Sequence, residues 1–327
     1  MNALAVVLAV VMAQASPAPR TPGETAPEPL PPAGTQPEVP VPPAIPPGSS
    51  TAPGSAAPLA ATTASPTPVS PPWPAHGLPT VGVWDIVATG GLVGALSVVQ
   101  FGVPAPTQPK WAGNGFDDWV RGGLRLSSES GRATASTISD VGVYILSAFP
   151  LINATLVAGV EHERWDIAWR LMVLDAETLL TATFAAISLQ HLTARERPFV
   201  QECVTNPNLR DCQTGSKYQS FPSGHTTLVF AAVSLECFHH GYLDTSHTGW
   251  GAAVCPATVG VAIVTGVLRV MADRHWATDV IAGAVLGGTI GWAIPALHVA
   301  VAKGQTPTVV TPAIGPGMMG ISIAGRW

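Results

Sequence analysis

The residues best suited to chemistry are His275 and Asp279, which lie four positions apart near the start of a long apolar stretch. At that spacing both side chains lie on one face of a helix. The carboxylate can then accept the Nδ1 proton of the imidazole and leave Nε2 free as a nucleophile or base. Arg269, six residues upstream, adds a permanent cation that suits phosphate oxygens. Taken alone, a His/Asp pair on a helix is usually structural.

A second cluster opens another apolar segment with the sequence Phe221-Pro222-Ser223-Gly224-His225. Pro222 and Ser223 are typical helix-start residues, and Gly224 lets a ligand approach the backbone. The first N–H groups of this helix form an anion site, with His225 at its mouth as a proton donor. A simple serine cap beside an incidental histidine explains this cluster equally well when it is considered alone.

A third cluster, Arg195-Glu196-Arg197-Pro198, follows a further apolar segment. Two guanidinium groups beside a helix-stopping proline suit the binding of phosphate oxygens. An arginine pair at a helix C-terminus also complements the helix dipole, so the tetrapeptide by itself favours a structural role. We interpret the three clusters together because all of them fall at helix ends and at the same end of the predicted bundle.

In chain order the three clusters resemble the signature of the superfamily of type-2 phosphatidic acid phosphatases and vanadium haloperoxidases. That signature reads K-x6-R-P, then P-S-G-H, then S-R-x5-H-x3-D. The chain matches it at Arg197-Pro198, at Pro222–His225, and at Arg269, His275 and Asp279. The resemblance covers roughly residues 85–300, and the three-part motif is highly specific.

The resemblance implies a phosphomonoesterase that forms a phosphohistidine intermediate and uses no cofactor and no metal ion. His275 is then the nucleophile, Asp279 orients and charges its imidazole, and His225 protonates the leaving alkoxide before it activates water. The groups implied to hold the phosphoryl oxygens are Arg197, Ser223, Gly224, Arg269 and the side chain at position 190, which here is Gln190. This division of roles suits phosphoryl transfer, which depends on positioning and charge stabilisation.

The chain departs from the family signature at two positions. Gln190 stands where the family has lysine, and Leu268 stands where it has serine. Loss of a cation from a phosphate site costs about 3 kcal/mol of transition-state stabilisation. We predict that a nearby cation partly replaces the missing charge, the candidates being His191, Arg195 and Lys217. An impaired or altered activity is the alternative.

The elements that must position these residues are long helices. Apolar segments of helical length occupy residues 83–103, 139–160, 166–190, 223–240, 250–272 and 276–300. Residues 111–135 are amphipathic and typical of a helix that lies along a surface. We predict an all-α bundle of about six apolar helices plus this amphipathic helix, embedded in a membrane. Arg170, Asp175 and Glu177 favour a soluble bundle instead, unless they pair inside it.

Composition agrees with a membrane protein. Charged residues make up 11 % of the 327 residues and mean hydropathy is +0.33, whereas charged residues are roughly 25 % of an average soluble domain. The net charge of −5 argues against a nucleic-acid binder, which would carry an excess of basic residues. We therefore expect a membrane and a phosphorylated lipid as partners and no nucleic acid.

Four regions are expected along the chain. Residues 1–15 read as a signal peptide that ends in an A-x-A cleavage site. Residues 16–79 form a proline-rich disordered linker, and residues 80–303 form the phosphatase helical domain. Residues 304–327 form a tail with a short flap, in which residues 321–324 alternate like a strand.

The cysteines bear on the compartment. Cys203 and Cys212 lie in the loop between the first two parts of the signature, and in an exported protein we expect a disulfide that braces this loop. Cys237 and Cys255 flank a connection at the opposite end of the bundle. If both pairs are bonded, a soluble bundle becomes more favourable, because one face of a membrane is normally reducing.

The expected location is a bacterial-type inner membrane with the site facing the periplasm, and the alternative is a soluble periplasmic protein. A cleaved signal followed by six spans would instead place all three clusters in the cytoplasm. The expected substrate is a lipid phosphate, either phosphatidate-like or an isoprenyl diphosphate. The alternatives are a soluble nonspecific acid phosphatase, a vanadate haloperoxidase and a catalytically impaired scaffold.

Overall fold

The computed structural model describes residues 81–213, 215–242, 251–302, 309–315 and 318–324. The predicted signal peptide over residues 1–15 and the predicted linker over residues 16–79 lie outside the described residues. The elements are helices α1 Val83–Ser97, α2 Gly115–Leu124, α3 Glu129–Asn153, α4 Trp165–Thr193, α5 Val200–Cys203, α6 Gly224–Tyr242, α7 Gly251–Met271 and α8 Ala277–Ala302, and strands β1 Val309–Gly315 and β2 Met318–Ala324. The predicted bundle of apolar helices with one amphipathic helix is confirmed.

Five of these helices are long and apolar enough to cross a membrane by length and composition. Helix α1 is extended by the π-helical turn Val98–Gly102, and α3 by the π-helical segment Ala154–Glu161. The other three are α4, α7 from Ala253 onward, and α8. Their outer faces expose large apolar side chains, among them Ile145, Val264 and Val285. An apolar surface of this extent is typical of contact with lipid, so the protein is a membrane protein.

Helix α6 occupies the centre of the bundle, where it packs against α3, α4, α7 and α8. Its inward position explains why it carries buried polar residues such as Thr227 and Glu236, which are 0 % and 1 % exposed. A helix that faces protein on all sides can hold polar groups that a lipid-facing helix cannot. Within the described residues, α6 does not meet the length and hydropathy criterion that the five other helices meet.

The closest helix contact joins α6 to α8 through a stripe of small residues. Gly283, Gly287 and Gly291 lie on one face of α8 against the backbone of α6. A methyl group on Gly287 would overlap the carbonyl oxygen of Thr227. Such a stripe lets two backbones approach closely and adds packing energy where no hydrophobic effect operates.

The boundary of the amphipathic helix differs from the prediction. The sequence suggested one amphipathic element over residues 111–135, whereas α2 ends at Leu124 and α3 begins at Glu129. Asn114 caps α2 by accepting hydrogen bonds from two backbone N–H groups, and Ser128 caps α3 in the same way through the N–H of Gly131. The serine cap starts α3 ten residues earlier than the apolar pattern indicated.

Both cysteine pairs form disulfides, Cys203 with Cys212 and Cys237 with Cys255. The first was predicted, whereas the sequence left the second open. At the C-terminus, β1 and β2 pair antiparallel, with Val309 opposite Ala324 and Gly315 opposite Met318. The strand predicted at residues 321–324 is therefore part of β2.

Replacement of Gly287 by alanine should separate α6 from α8 and destabilise the protein by about 2 kcal/mol, the usual cost of overpacking a tight contact. Thermal unfolding of the purified protein in detergent measures this. Gly288→Ala is the matched control, because a methyl group there would meet Ser234 Oγ at an ordinary 3.6 Å. Equal melting temperatures for the two variants would contradict the packing assignment.

Candidate active site

His275 lies in the turn between α7 and α8 and is 2 % exposed. Its Nδ1 is 2.8 Å from the backbone carbonyl oxygen of Ser220. A carbonyl can only accept a hydrogen bond, so Nδ1 carries the proton and Nε2 of the neutral ring is left with its lone pair. The ring is therefore held in the tautomer that a nucleophilic Nε2 requires.

Asp279 acts on His275 less directly than the spacing predicted. Its Oδ2 lies 3.6 Å from Nδ1 of His275, too far for a hydrogen bond. The same oxygen accepts hydrogen bonds from Ser220 Oγ at 2.6 Å and from the N–H of Trp276 at 2.8 Å. Asp279 thus orients the imidazole through Ser220, whose hydroxyl it binds and whose carbonyl binds the ring.

Arg195 is the cation that fixes Asp279. It is fully buried, and its guanidinium donates to Asp279 Oδ1 and to Asp117 Oδ2, both at 2.5 Å. Its carbon Cζ lies 4.1 Å from the ring centre of Trp111, a cation–π contact. Because two carboxylates already bind its terminal nitrogens, Arg195 is a less favourable replacement for the family lysine than His191 or Lys217.

His225 lies in the first turn of α6, as predicted, and its Nε2 is 2.7 Å from Asp140 Oδ1. The helix start is capped by Ser223, whose hydroxyl accepts a hydrogen bond from Thr226 Oγ1 at 2.9 Å. The N–H of Ser223 donates to the carbonyl oxygen of Asp279 at 3.0 Å. This backbone bond joins the cluster at the start of α6 to the cluster that contains His275 and Asp279.

Two further guanidinium groups lie beside the imidazoles. Arg197 donates to the carbonyl oxygen of Gln219 at 3.1 Å, and Arg269 donates to Ser139 Oγ at 3.0 Å and to Asp140 Oδ1 at 3.2 Å. In the described part of the chain, the Nε–H of each is buried and has no hydrogen-bond partner. A buried donor without an acceptor is costly and is common where a ligand supplies the acceptor.

The charges of these side chains act on one another. Burial lowers the pKa of His225 to about 4, and the positive charge of Arg269 adds to this effect. Burial also lowers the pKa of His275 well below its usual range, with the charges of Arg197 and Arg269 as the next causes. Burial and the neighbouring charges of Arg269 and Arg274 lower the pKa of Arg197 to about 9. The site is therefore positive and holds two neutral imidazoles.

Gln190 lies at the rim of the site, at the end of α4. Its Nε2 donates to the carbonyl oxygen of Pro222 at 2.9 Å. One turn later, Thr193 Oγ1 donates to the carbonyl oxygen of Phe221, also at 2.9 Å. At position 190 the neutral amide thus holds the loop that carries the second cluster.

Several residues that contribute to the site were not predicted. Asp140 and Asp117 come from α3 and α2, more than 50 residues before Arg195, and no local pattern marks them. Arg274 directly precedes His275, forms an ion pair with Asp211 at 2.7 Å, and contributes positive charge to the site. Its position between Arg269 and His275 was a signal that could have identified it.

Helix α2 is anchored to the turn that carries His275. Arg121 and Arg125 of α2 donate to Asp273, at 2.6 Å and 2.9 Å for their Nε atoms. Asp273 is fully buried and adopts a φ of 61°, in the left-handed region that aspartate tolerates better than most residues. The short helix α5 adds Glu202, which pairs with Arg125 and Arg132. These ion pairs close one wall of the site.

Among the described residues, one cluster brings together groups that could hold a metal ion: Asp85, Glu177 and His298. It lies on α1, α4 and α8, far from the ends that carry the imidazoles. At 1.5 Å per residue, Glu177 is about 20 Å from Gln190 along α4. This cluster takes no part in the site around His275.

Comparison with known proteins agrees with the signature. The model of the PAP2 superfamily matches residues 173–302. A lipid A 1-phosphatase from Porphyromonas gingivalis is 40 % identical over 77 residues, which are 24 % of this chain and 16 % of that protein. The chain thus matches only a small part of this relative's length. No solved structure matches the chain.

The matched segment includes all three clusters, from Gln190 to Asp279, while Asp117 and Asp140 lie before it. The resemblance that the sequence suggested is therefore confirmed. Residues 173–302 of this chain form a domain of the PAP2 superfamily.

Proposed function

We propose that the protein is a phosphomonoesterase that hydrolyses a lipid phosphate through a phosphohistidine intermediate. One observation carries this proposal. His275 is fixed with its Nε2 lone pair available, beside two buried guanidinium groups, Arg197 and Arg269, that each retain an unpaired Nε–H. A phosphoryl group supplies both the electrophile for the imidazole and the acceptors for these donors.

In the first step Nε2 of His275 attacks phosphorus, and the bond from phosphorus to the leaving oxygen breaks. The low pKa of His275 keeps its ring neutral, so the lone pair is available at neutral and mildly acidic pH. Ser220 and Asp279 stabilise the positive charge that the ring gains as the N–P bond forms.

In the same step His225 donates a proton to the leaving alkoxide. Its low pKa in the empty site follows first from burial and then from the charge of Arg269. A bound phosphate offsets that positive charge and raises the pKa, so His225 gains its proton when substrate is present. In the second step His225 takes a proton from water, which attacks phosphorus and breaks the N–P bond.

The equatorial oxygens are held by groups from three elements. Arg197 follows α4, Arg269 ends α7, and the hydroxyl of Ser223 and the N–H of Gly224 lie at the start of α6. The start of α6 adds the partial positive charge of a helix N-terminus. None of these steps calls for a metal ion.

A lipid substrate is supported by the surroundings of the site. The end of the bundle that carries the imidazoles also carries α2, whose Phe116 and Trp119 are 48 % and 75 % exposed. An amphipathic helix with exposed aromatic side chains is typical of the headgroup region of a bilayer. The similarity to a protein named for lipid A dephosphorylation points to the same substrate class.

A second candidate is a soluble periplasmic acid phosphatase, which the disulfides favour. Cys203–Cys212 lies beside the site, whereas Cys237–Cys255 lies toward the other end of α6. Two disulfides at opposite ends fit an environment that is oxidising on both sides. We prefer the membrane enzyme because the apolar outer faces of the bundle would be costly in water.

Substitution of His275 by alanine should lower phosphate release from p-nitrophenyl phosphate and from phosphatidate by on the order of 10⁴-fold, because the nucleophile is lost. The wild-type protein should form an acid-labile phosphoenzyme, remain active in EDTA and be inhibited by vanadate. His162→Ala, at the turn between α3 and α4, is the control. Wild-type turnover in His275→Ala would rule out the mechanism, and a wild type inactive on every phosphate would favour the scaffold.

Gln190→Ala should lower kcat about five- to tenfold, because the loop at Pro222 loses its hydrogen bond to α4. This factor corresponds to the free energy of about one hydrogen bond. Gln190→Lys keeps a donor and adds the charge of the family lysine. We expect little change in turnover or substrate affinity for Gln190→Lys, since His191 or Lys217 supplies the charge. A large gain in steady-state activity would show that no nearby cation replaces the charge of the missing lysine.

We propose that the site faces the periplasm, because Cys203–Cys212 lies beside it. A membrane-impermeant maleimide should label Val204→Cys in cells whose outer membrane alone is permeabilised, since Val204 is 84 % exposed near the site. Glu163→Cys, at the other end, should be labelled only after lysis. The native cysteines are disulfide-bonded and therefore do not react with the maleimide. Labelling of both variants before lysis supports the soluble candidate, and the reverse pattern contradicts the proposed orientation.

A further inference from the structure

Asp140 is a carboxylate that lies inside the site and outside every part of the signature. It projects from α3, and its Oδ1 is 2.7 Å from Nε2 of His225 and 3.2 Å from a terminal guanidinium nitrogen of Arg269. Its side chain is 32 % exposed, whereas that of His225 is 14 % exposed. The carboxylate therefore forms part of the wall of the site and remains reachable by solvent.

The contact with Asp140 determines which nitrogen of His225 can do chemistry. An ionised carboxylate only accepts hydrogen bonds, so Nε2 of His225 carries a proton and donates it to Asp140. Nδ1 is then the nitrogen left for exchange of a proton with substrate or water. His275 is held in the opposite way, with Nδ1 bound to Ser220 and Nε2 left open. The two rings thus present different nitrogens, each fixed by an acceptor behind it.

The charges around His225 show why a carboxylate is needed there. The cations whose charges act on His225 or on Asp140 come from three parts of the chain: Arg197 after α4, Arg269 at the end of α7, and Arg274 in the turn before α8. All three oppose protonation of an imidazole. The hydrogen bond and the negative charge of Asp140 favour it.

We propose that Asp140 is a positioning residue that holds His225 as the acid–base catalyst of this site, an inference that rests on the proposed phosphatase function. As the bond between phosphorus and the leaving oxygen breaks, the Nδ1 proton of the imidazolium passes to that oxygen. Asp140 keeps the Nε2–H directed toward itself throughout. In the second step Nδ1 takes a proton from the attacking water, the N–P bond breaks and phosphate leaves.

The same contacts allow a competing assignment that the experiment must separate. Because Oδ1 also contacts Arg269, the carboxylate of Asp140 could occupy the place of a phosphoryl oxygen and compete with substrate. In that case removal of its charge would tighten the binding of phosphate and vanadate. A positioning role predicts instead a loss in the proton-transfer step.

Asp140→Asn tests the inference with little change in size. The burst of phosphoenzyme formation is measured in the pre-steady state, with substrate in excess over enzyme, for two substrates: p-nitrophenyl phosphate and an alkyl phosphate. We expect the rate with the alkyl phosphate to fall about 10- to 100-fold, because its leaving group needs protonation. The rate with p-nitrophenyl phosphate should fall much less, because nitrophenolate leaves without a proton.

The pH profile gives a second readout. Loss of the carboxylate lowers the pKa of His225 in the complex, so the basic limb of kcat for the alkyl phosphate should move to lower pH. Asp140→Glu should restore part of the rate, because it restores the charge. Asp118→Asn, an exposed acid on α2, is the control for loss of one negative charge.

Three outcomes would overturn the inference. One is an equal loss with both substrates together with a lower melting temperature, which marks a structural role. Another is tighter inhibition by phosphate or vanadate with an unchanged burst, which marks competition with substrate. The third is wild-type kinetics in Asp140→Asn. Failure of the proposed function looks different, because the wild-type protein would then show no burst with either substrate.

Discussion

The site depends on the buried ion pairs of Arg195 with Asp117 and Asp279. The three side chains are fully buried, and Asp117 also accepts hydrogen bonds from the N–H and the hydroxyl of Thr278. Loss of one member would leave an uncompensated charge in the protein interior, which usually costs about 3–5 kcal/mol. Through Asp279 the same network fixes Trp276 and Ser220, and through Ser220 it fixes the ring of His275. The amphipathic helix, the loop after α4 and the start of α8 are thus held by one set of contacts.

The arginines of the proposed site differ in their hydrogen-bond partners. Arg195 and Arg197 are two positions apart in sequence, yet the first is held between two carboxylates while the second contacts only backbone carbonyls. Arg269 contacts one carboxylate, which also binds His225. Within the described residues, the Nε–H of all three arginines is buried without a partner. Asp117 and Asp279 already bind the terminal nitrogens of Arg195. Arg197 and Arg269, which contact at most one carboxylate, are therefore better placed to donate to an oxyanion. This difference leaves Arg197 and Arg269 as the guanidinium groups of the proposed anion site.

Much of this arrangement could be predicted from the sequence, because the signature residues are close together along the chain. The apolar segments were sufficient to predict the bundle. The spacing of His275 and Asp279 and the helix start at Ser223 identified candidate residues that the structure brings close together. Asp140 and Asp117 could not be found in this way, since they act through tertiary contacts with residues more than 70 positions away. The direct bond between His275 and Asp279 was also predicted from spacing, but the competing donors Ser220 and Trp276 occupy that carboxylate.

The disulfide between Cys237 and Cys255 makes α6 and α7 into a covalently closed hairpin. Both helices run from this cross-link toward the site, where α6 begins beside His225 and α7 ends at Arg269. The cross-link lies about 20 Å from those tips at 1.5 Å per residue. The two helices are therefore joined covalently near one end and carry His225 and Arg269 at the other. The angle between the helices sets the gap between these two side chains, and the bond that limits this angle lies far from both of them.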